Sequence, residues 1–70
     1  MIYEIREATY DGIGFQKTNN RLCYVDDFKQ AARVLVICTG DYIDEEDVNL
    51  NTVYPYRHNH SIKYYIEEFE

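Results

Sequence analysis

The chain has 70 residues and a net charge of −6, and 46% of its residues are hydrophobic. This length fits a single domain, residues 1–70, with a small core, because a chain of this size buries only about 60% of its unfolded surface. The negative charge argues against direct binding to nucleic acid or to an anionic membrane, which both attract basic residues, and it favours a basic partner instead.

Two strands are predicted in the first third of the chain. Residues 2–9 alternate between apolar and polar side chains, which is typical of a strand with one buried face. The stretch DGIGF, which starts at Asp11, indicates a turn, and Asn19-Asn20 indicates a second one. The sequence RLCYV at residues 21–25 then predicts another short strand.

A helix is predicted from residue 28, because Asp26 or Asp27 can cap its first turn and Gly40 can end it in the left-handed conformation. The β-branched run VLVIC at residues 34–38 leaves a strand as an alternative, but the caps at both ends favour a helix. Apolar side chains recur at intervals of three or four and form one stripe: Phe28, Ala31, Ala32, Leu35 and Cys38 or Thr39.

Two more strands are predicted in the last third of the chain. Residues 48–56 alternate in polarity, and this strand is expected to end near Pro55, which cannot donate a hydrogen bond within a sheet. The stretch RHNHS at residues 57–61 predicts a turn. Residues 62–67 alternate again and predict the closing strand.

A short echo links the two ends of the chain. Residues 3–7 and residues 64–68 share the pattern Y-x-I-x-E, which suggests two strands of one sheet. The fold class is therefore predicted as α+β. It is a small antiparallel β-sheet of about four strands in ββαββ order, with one α-helix packed on one face and the other face exposed.

The residues that could support catalysis or metal binding lack the spacing that those functions need. Cys23 and Cys38 form neither a C-x-x-C motif nor a disulfide framework. His58 and His60 could share a metal, but zinc sites need three or four protein ligands and no further ligand spacing is present. The chain is therefore predicted to be non-enzymatic, with no catalytic residue, no metal and no cofactor.

Cysteine usage and hydropathy predict the compartment. Two cysteines without a disulfide framework fit a reducing environment. The N-terminal residues have no apolar run of signal-peptide length, and the longest apolar run in the chain is too short to span a bilayer. A cytoplasmic protein is the expectation.

Most of the negative charge lies in two acidic patches. Residues 40–47, GDYIDEED, contain five carboxylates and no basic residue, and residues 67–70 contain three more carboxylates. The consecutive acids lack the alternating ligand spacing of an EF-hand calcium loop. They also fit a short helical turn capped by Asp41 or Asp44, where acids favour the positive end of the turn.

The first and last predicted strands can add to this negative charge. Glu4 and Glu67 point outward from the first and last predicted strands. If these strands are neighbours, the two carboxylates are expected to form a shared negative face. Such crowding of like charges costs stability in a chain with a thin core, which favours a role in solubility or binding.

A very small, acidic, Tyr-rich, cysteine-poor chain with one helix on a sheet resembles the accessory proteins of phages and mobile elements. Among these are anti-CRISPR proteins and other inhibitors that mimic DNA. The resemblance implies that clustered carboxylates stand in for phosphates and block a basic nucleic-acid-binding surface of a host protein, while Tyr42 supplies contact area. The implied partner-binding residues are Asp41, Tyr42, Asp44, Glu45, Glu46, Asp47, Glu67, Glu68 and Glu70.

The alternative is a small homodimeric structural module or an antitoxin-like assembly module. Its interface would be a Tyr-lined edge or face of the sheet, and the acids would serve solubility only. The small core favours pairing, because a second copy adds buried area that one copy lacks. A homodimer is therefore left open.

Overall fold

The computed structural model describes all 70 residues and contains a four-stranded antiparallel sheet with one helix. The elements in chain order are β1 (Ile2–Tyr10), β2 (Gln16–Val25), α1 (Phe28–Thr39), a 3₁₀ turn (Glu45–Asp47), β3 (Tyr54–Tyr56) and β4 (Asn59–Phe69). The strands are arranged in the order β2-β1-β4-β3. The predicted α+β class and ββαββ order are therefore confirmed.

The central strands, β1 and β4, are built from the two copies of Y-x-I-x-E. Run antiparallel, the copies place Ile5 opposite Ile66 and set a Tyr opposite a Glu on each side. Both isoleucines are fully buried, and the hydroxyl of Tyr64 donates a 2.8 Å hydrogen bond to Glu7. Burial and this carboxylate raise the pKa of Tyr64, so its hydroxyl stays a neutral donor. The motif is thus self-complementary, and its prediction as two strands of one sheet is confirmed.

The helix α1 begins and ends as its caps predict. The side chain of Asp27 accepts a 3.1 Å hydrogen bond from the N–H of Gln30, and Gly40 has a φ of 107° after the last turn. The predicted stripe packs inward, and Val36 is an additional buried residue. Thr39 rather than Cys38 is fully buried, and its hydroxyl donates to the Val36 carbonyl (2.8 Å). The buried helix residues are Ala31, Ala32, Leu35, Val36 and Thr39.

The strand β2 has ten residues rather than the predicted five. Asn19 and Asn20, predicted as a turn, lie within the strand and pair with β1. Asn19 fits there because its side chain accepts a hydrogen bond from Arg6 (2.9 Å) and donates one to the Tyr65 hydroxyl (2.8 Å). The turn of this hairpin is at Asp11, whose carboxylate accepts two backbone N–H groups (3.0 and 2.9 Å).

The prediction of a strand at residues 48–56 is wrong for its first six residues, because only β3 is extended and paired. Asn51 has a φ of 59°, a left-handed conformation that interrupts an extended run. Its N–H still donates to the Ile66 carbonyl (2.9 Å). Residues 48–53 therefore run alongside β4 without forming a regular ladder of hydrogen bonds.

The last hairpin is tighter than predicted. Only Arg57 and His58 lie in its turn, so β4 begins at Asn59 rather than near residue 62. The strand also ends later than predicted, because it pairs with β1 as far as Phe69. With eleven residues, β4 is the longest strand and supports both the core and the segment before β3.

The sheet has one face covered by α1 and one open face. The covered face contributes Ile5, Tyr64 and Ile66 to the core, and Tyr3 packs edge-on against Phe28 with ring centroids 5.6 Å apart. The open face carries polar and aromatic side chains, which matches the alternation predicted for the first and last strands. No helix in the structure has the length and apolar character that crossing a membrane requires.

Candidate functional site

The acidic segment, residues 40–47, leaves α1 through a backbone motif that fixes its direction. The N–H groups of Gly40 and Asp41 donate to carbonyls in the last turn of α1 (3.2 and 2.9 Å), the two bonds of a Schellman motif. A Cβ placed on Gly40 would lie 2.8 Å from the Cβ of Arg57. Glycine is therefore required for the left-handed backbone and for the close packing of the β3–β4 turn.

Apolar and tyrosine side chains hold the acidic segment against the sheet and helix. Ile43 packs on the core, and Val48 is buried just after the segment. The Tyr42 hydroxyl donates to the carbonyl of Pro55, while 46% of Tyr42 stays exposed. The Tyr54 hydroxyl bonds a carbonyl (3.2 Å) and an N–H (2.8 Å) at the end of the segment. These contacts fix the backbone from which the carboxylates project.

One carboxylate has a structural role in the 3₁₀ turn. The Oδ1 atom of Asp44 accepts a 3.1 Å hydrogen bond from the N–H of Glu46, and its backbone carbonyl accepts the N–H of Asp47 (2.9 Å). Of the two candidates for a capping residue, Asp44 is therefore the one used. Asp41 instead adopts a φ of 59°, which Asp tolerates better than most residues.

Three of the five carboxylates in the segment have neither a capping role nor a basic partner. Glu45 lies 3.4 Å from Arg33, an exposed ion pair that contributes less than about 1 kcal/mol. Asp41, Glu46 and Asp47 are exposed and take part in no salt bridge. The segment therefore presents three carboxylates without a salt bridge and the exposed ring of Tyr42, while the Arg57 guanidinium lies 3.5 Å from the Gly40 carbonyl at its start.

The C-terminal acidic patch is divided between the two faces of the sheet. Glu67 lies on the open face, where Arg6 approaches it to 3.9 Å. Glu68 lies on the covered face beside Tyr3, and burial together with this carboxylate raises the pKa of Tyr3. Glu70 follows β4 and is exposed without a salt bridge. The patch therefore does not present its three carboxylates on one surface.

The expected negative face at Glu4 and Glu67 is absent. The two residues are directly opposite each other on β1 and β4, as predicted for neighbouring strands. However, Arg6 lies 2.8 Å from Glu4, and Arg21 on β2 lies 3.3 Å from it. Because Arg6 also approaches Glu67, the two arginines offset the two carboxylates. What the sequence did not reveal is the bulge at Leu22, which sets Arg21 opposite Arg6 and beside Glu4.

Two apolar surfaces, one at each end of β2, were missed by the sequence analysis. Ile2 and Tyr24 line two adjoining clefts of about 350 and 290 Å³. At the other end of β2, Ile13 and Phe15 are 80% and 68% exposed in the β1–β2 turn. For Ile13 and Phe15 a signal was present in the sequence, because large apolar residues are unusual inside a Gly-containing turn.

The cysteines and histidines are not brought together. Cys23 on β2 pairs with Ile5 on β1, and Ile5 pairs with Ile66 on β4. His60 is six residues from Ile66 along β4, so these two strand positions are about 20 Å apart. Cys38 is half-buried, and burial raises the pKa of its thiol, which disfavours a nucleophilic thiolate. No group of three or more potential metal ligands occurs in the structure. No protein-family model, curated protein or solved structure matches this chain.

Proposed function

We propose that the protein is a non-enzymatic inhibitor that binds a basic nucleic-acid-binding surface of another protein and blocks it. In this role it acts in the cytoplasm, like the anti-CRISPR and DNA-mimic inhibitors of phages and mobile elements that it resembles. The observation that carries the proposal is the acidic segment. Its backbone is fixed by caps and buried apolar residues, while Asp41, Glu46 and Asp47 are exposed without a salt bridge in the same segment as Tyr42.

Electrostatics gives the reason to expect a basic partner. Two carboxylates about 6 Å apart in water repel each other by about 0.7 kcal/mol, and the acidic segment places five of them within seven consecutive residues. Arg33 pairs with one of these carboxylates, and the Arg57 guanidinium contacts the Gly40 carbonyl at the start of the segment without forming a salt bridge. Lysines and arginines of a partner would remove the remaining repulsion, and they would also steer the encounter between the two proteins.

Tyr42 adds apolar contact area, which the carboxylates cannot provide. Exposed ion pairs contribute only about 0.2–1 kcal/mol each, so charge alone gives a fast but weak complex. A tyrosine ring is a common binding hot spot, because it buries a large apolar area and loses little conformational freedom. Its hydroxyl is already bonded to Pro55, which holds the ring in place before binding.

The second acidic patch has a smaller part in the proposal. Glu67 is close to Arg6, and Glu68 faces the helix side beside Tyr3. Glu68 and Glu70 are both exposed and take part in no salt bridge, but they lie at the end of β4 rather than in the acidic segment. The proposed binding surface therefore centres on Asp41, Tyr42, Asp44, Glu45, Glu46 and Asp47, with Glu67, Glu68 and Glu70 at its periphery.

Capture from a nuclease-treated lysate of the host cell tests the proposal. The immobilised protein is expected to retain a protein that binds DNA or RNA through a basic groove. Salt on the order of 0.5 M should release it, because screening weakens contacts between exposed charges. Retention of a protein without nucleic-acid-binding activity, or retention unchanged at about 1 M salt, would contradict the proposal.

A further inference from the structure

We infer that the outer edge of β2 pairs with the β2 edge of a second copy of this chain, so that two sheets join into one of eight strands. This inference is independent of the proposed function. The strand is at the end of the sheet and is hydrogen-bonded to β1 on one side only. It has ten residues, of which seven are exposed. A long open edge of this kind is a template for another strand.

The two edges of the sheet are not equivalent. At the opposite edge, β3 has only three residues, and its central residue is Pro55, which has no N–H to donate. That edge is therefore protected against pairing. The β2 edge has no proline and continues into Asp26 and Asp27 before α1 begins.

Charge selects the second copy as the occupant and also selects the register. Within β2 the charged residues are Lys17 and Arg21, both basic, and the strand is followed directly by Asp26 and Asp27. Antiparallel pairing of two identical strands sets the basic start of one against the acidic end of the other. In the register that places Lys17 opposite the partner copy's Asp26, the symmetry forms this pair twice. A register centred on Asn19 would instead oppose Lys17 and Arg21, which repel.

Two residues of β2, Lys17 and Leu22, are bulged, so Lys17 lies at the end of the regular ladder, and the bulge at Leu22 agrees with this register. Leu22 has no opposite residue in β1, because Ile5 pairs with Cys23 and Arg6 with Arg21. Side chains before and after the bulge therefore alternate out of step. With Lys17 opposite Asp26, the pairing sets Asn19 opposite Tyr24 on the open face of both sheets.

The same register keeps the covered faces together. Thr18 and Asn20 pair with Thr9 and Glu7 on the covered side of β1, and the residues they meet in the second copy, Val25 and Cys23, also lie on that side. A slip by one residue would bring open-face side chains opposite covered-face side chains. Both helices are therefore on one side of the joined sheet.

Apolar contacts at the two ends of the pairing support the same partner. Phe15 lies two residues before Lys17, and in this register it reaches the first turn of the second copy's α1. The cleft at that position has a volume of about 350 Å³ and is lined by Ile2, Tyr24, Val25, Asp26 and Gln30. Phe15 and Ile13, which are among the most exposed apolar side chains in the chain, would be covered there.

Charge-swap variants test this inference in the full-length protein. Sedimentation equilibrium of the wild-type protein is expected to show a dimer. Lys17→Glu and Asp26→Lys should each weaken dimerisation at least 10-fold, because each creates two like-charge pairs. Mixing these two variants should restore dimers to within about 3-fold of wild type, because both contacts become opposite-charge pairs again. Lys63→Glu, which changes the net charge as Lys17→Glu does but lies on β4 opposite Ala8 and away from the β2 edge, should leave dimerisation nearly unchanged.

Three results would overturn the inference. The first is a wild-type protein that stays monomeric at millimolar concentration. The second is a dimer that neither Lys17→Glu nor Asp26→Lys weakens more than Lys63→Glu does. The third is two single variants that remain monomers when mixed, although circular dichroism shows that each is folded. None of these results depends on the acidic segment, so they are separate from a failure of the proposed function.

Discussion

Replacing Asp41, Glu46 and Asp47 together with their amides is expected to weaken binding to the basic partner about 100-fold. These carboxylates have no salt bridge within the chain, so each is available to a partner. The loss of about 1 kcal/mol per contact amounts to about 3 kcal/mol. The same variant should be at least as stable as wild type, because the substitutions remove repulsion within the segment. Isothermal titration and thermal unfolding measure the two effects.

A matched variant separates position from total charge. Changing Glu67, Glu68 and Glu70 to Gln also raises the net charge by three, but at the end of β4. This variant is expected to bind the partner within about 3-fold of wild type. If both variants weaken binding equally, the overall charge of the protein rather than the acidic segment determines the interaction, and the proposed site is wrong.

Replacing Gly40 with Ala is expected to destabilise the protein by about 2–4 kcal/mol. The left-handed φ of 107° costs an L-residue about 1–2 kcal/mol. In addition, the new methyl group would lie 2.8 Å from the Cβ of Arg57, which is closer than carbon atoms pack. A chain of 70 residues has a total stability of about 4–10 kcal/mol. The midpoint of thermal unfolding should therefore fall by about 10 °C or more.

Gly12→Ala is the control for this substitution. Gly12 has no positive φ, and a Cβ placed there meets no atom within 4 Å. Its substitution should change the free energy of unfolding by less than about 0.5 kcal/mol, since an unstrained Ala mainly restricts the unfolded chain. Equal unfolding midpoints for the two variants would show that the helix end is not held as the structure indicates. Partner binding by Gly40→Ala should also be weaker, because this residue sets the direction of the acidic segment.

The parts of the fold that sequence analysis could predict are those with strong local signals. The helix is fixed by Asp27, Gly40 and a regular apolar stripe, so its position follows from capping and periodicity alone. The first and last strands, β1 and β4, follow from alternation, and the Y-x-I-x-E echo even indicates their pairing. Each of these signals lies within one element or at its ends, and the echo indicates a pairing because the same local pattern occurs twice.

The parts that could not be predicted depend on contacts between distant residues. Asn19 resembles a turn residue in the sequence, but Arg6 and Tyr65 stabilise it within β2. Residues 48–53 resemble a strand, but Asn51 leaves the extended conformation. No local pattern reveals the outcome at Asn19, because its stabilising partners lie 13 and 46 residues away.

The candidate site also divides into features with a local signal and features that depend on distant residues. The charge of the acidic segment is visible in the sequence, and so is the capping role that Asp44 takes. What the sequence cannot show is which carboxylates have basic partners. Arg33 is 12 residues from Glu45, and the arginines near Glu4 belong to two different strands. The three-dimensional fold therefore reduces eight candidate acids to a smaller uncompensated set.

Competition between this protein and nucleic acid for the purified partner is the most direct test of the central claim. With a fluorescent oligonucleotide bound to the partner, added protein should displace the oligonucleotide completely, and the apparent dissociation constant should rise in proportion to protein concentration. The variant with amides at positions 41, 46 and 47 should require about 100-fold more protein for the same displacement. A ternary complex of partner, oligonucleotide and this protein would contradict the claim that its carboxylates occupy the place of phosphates.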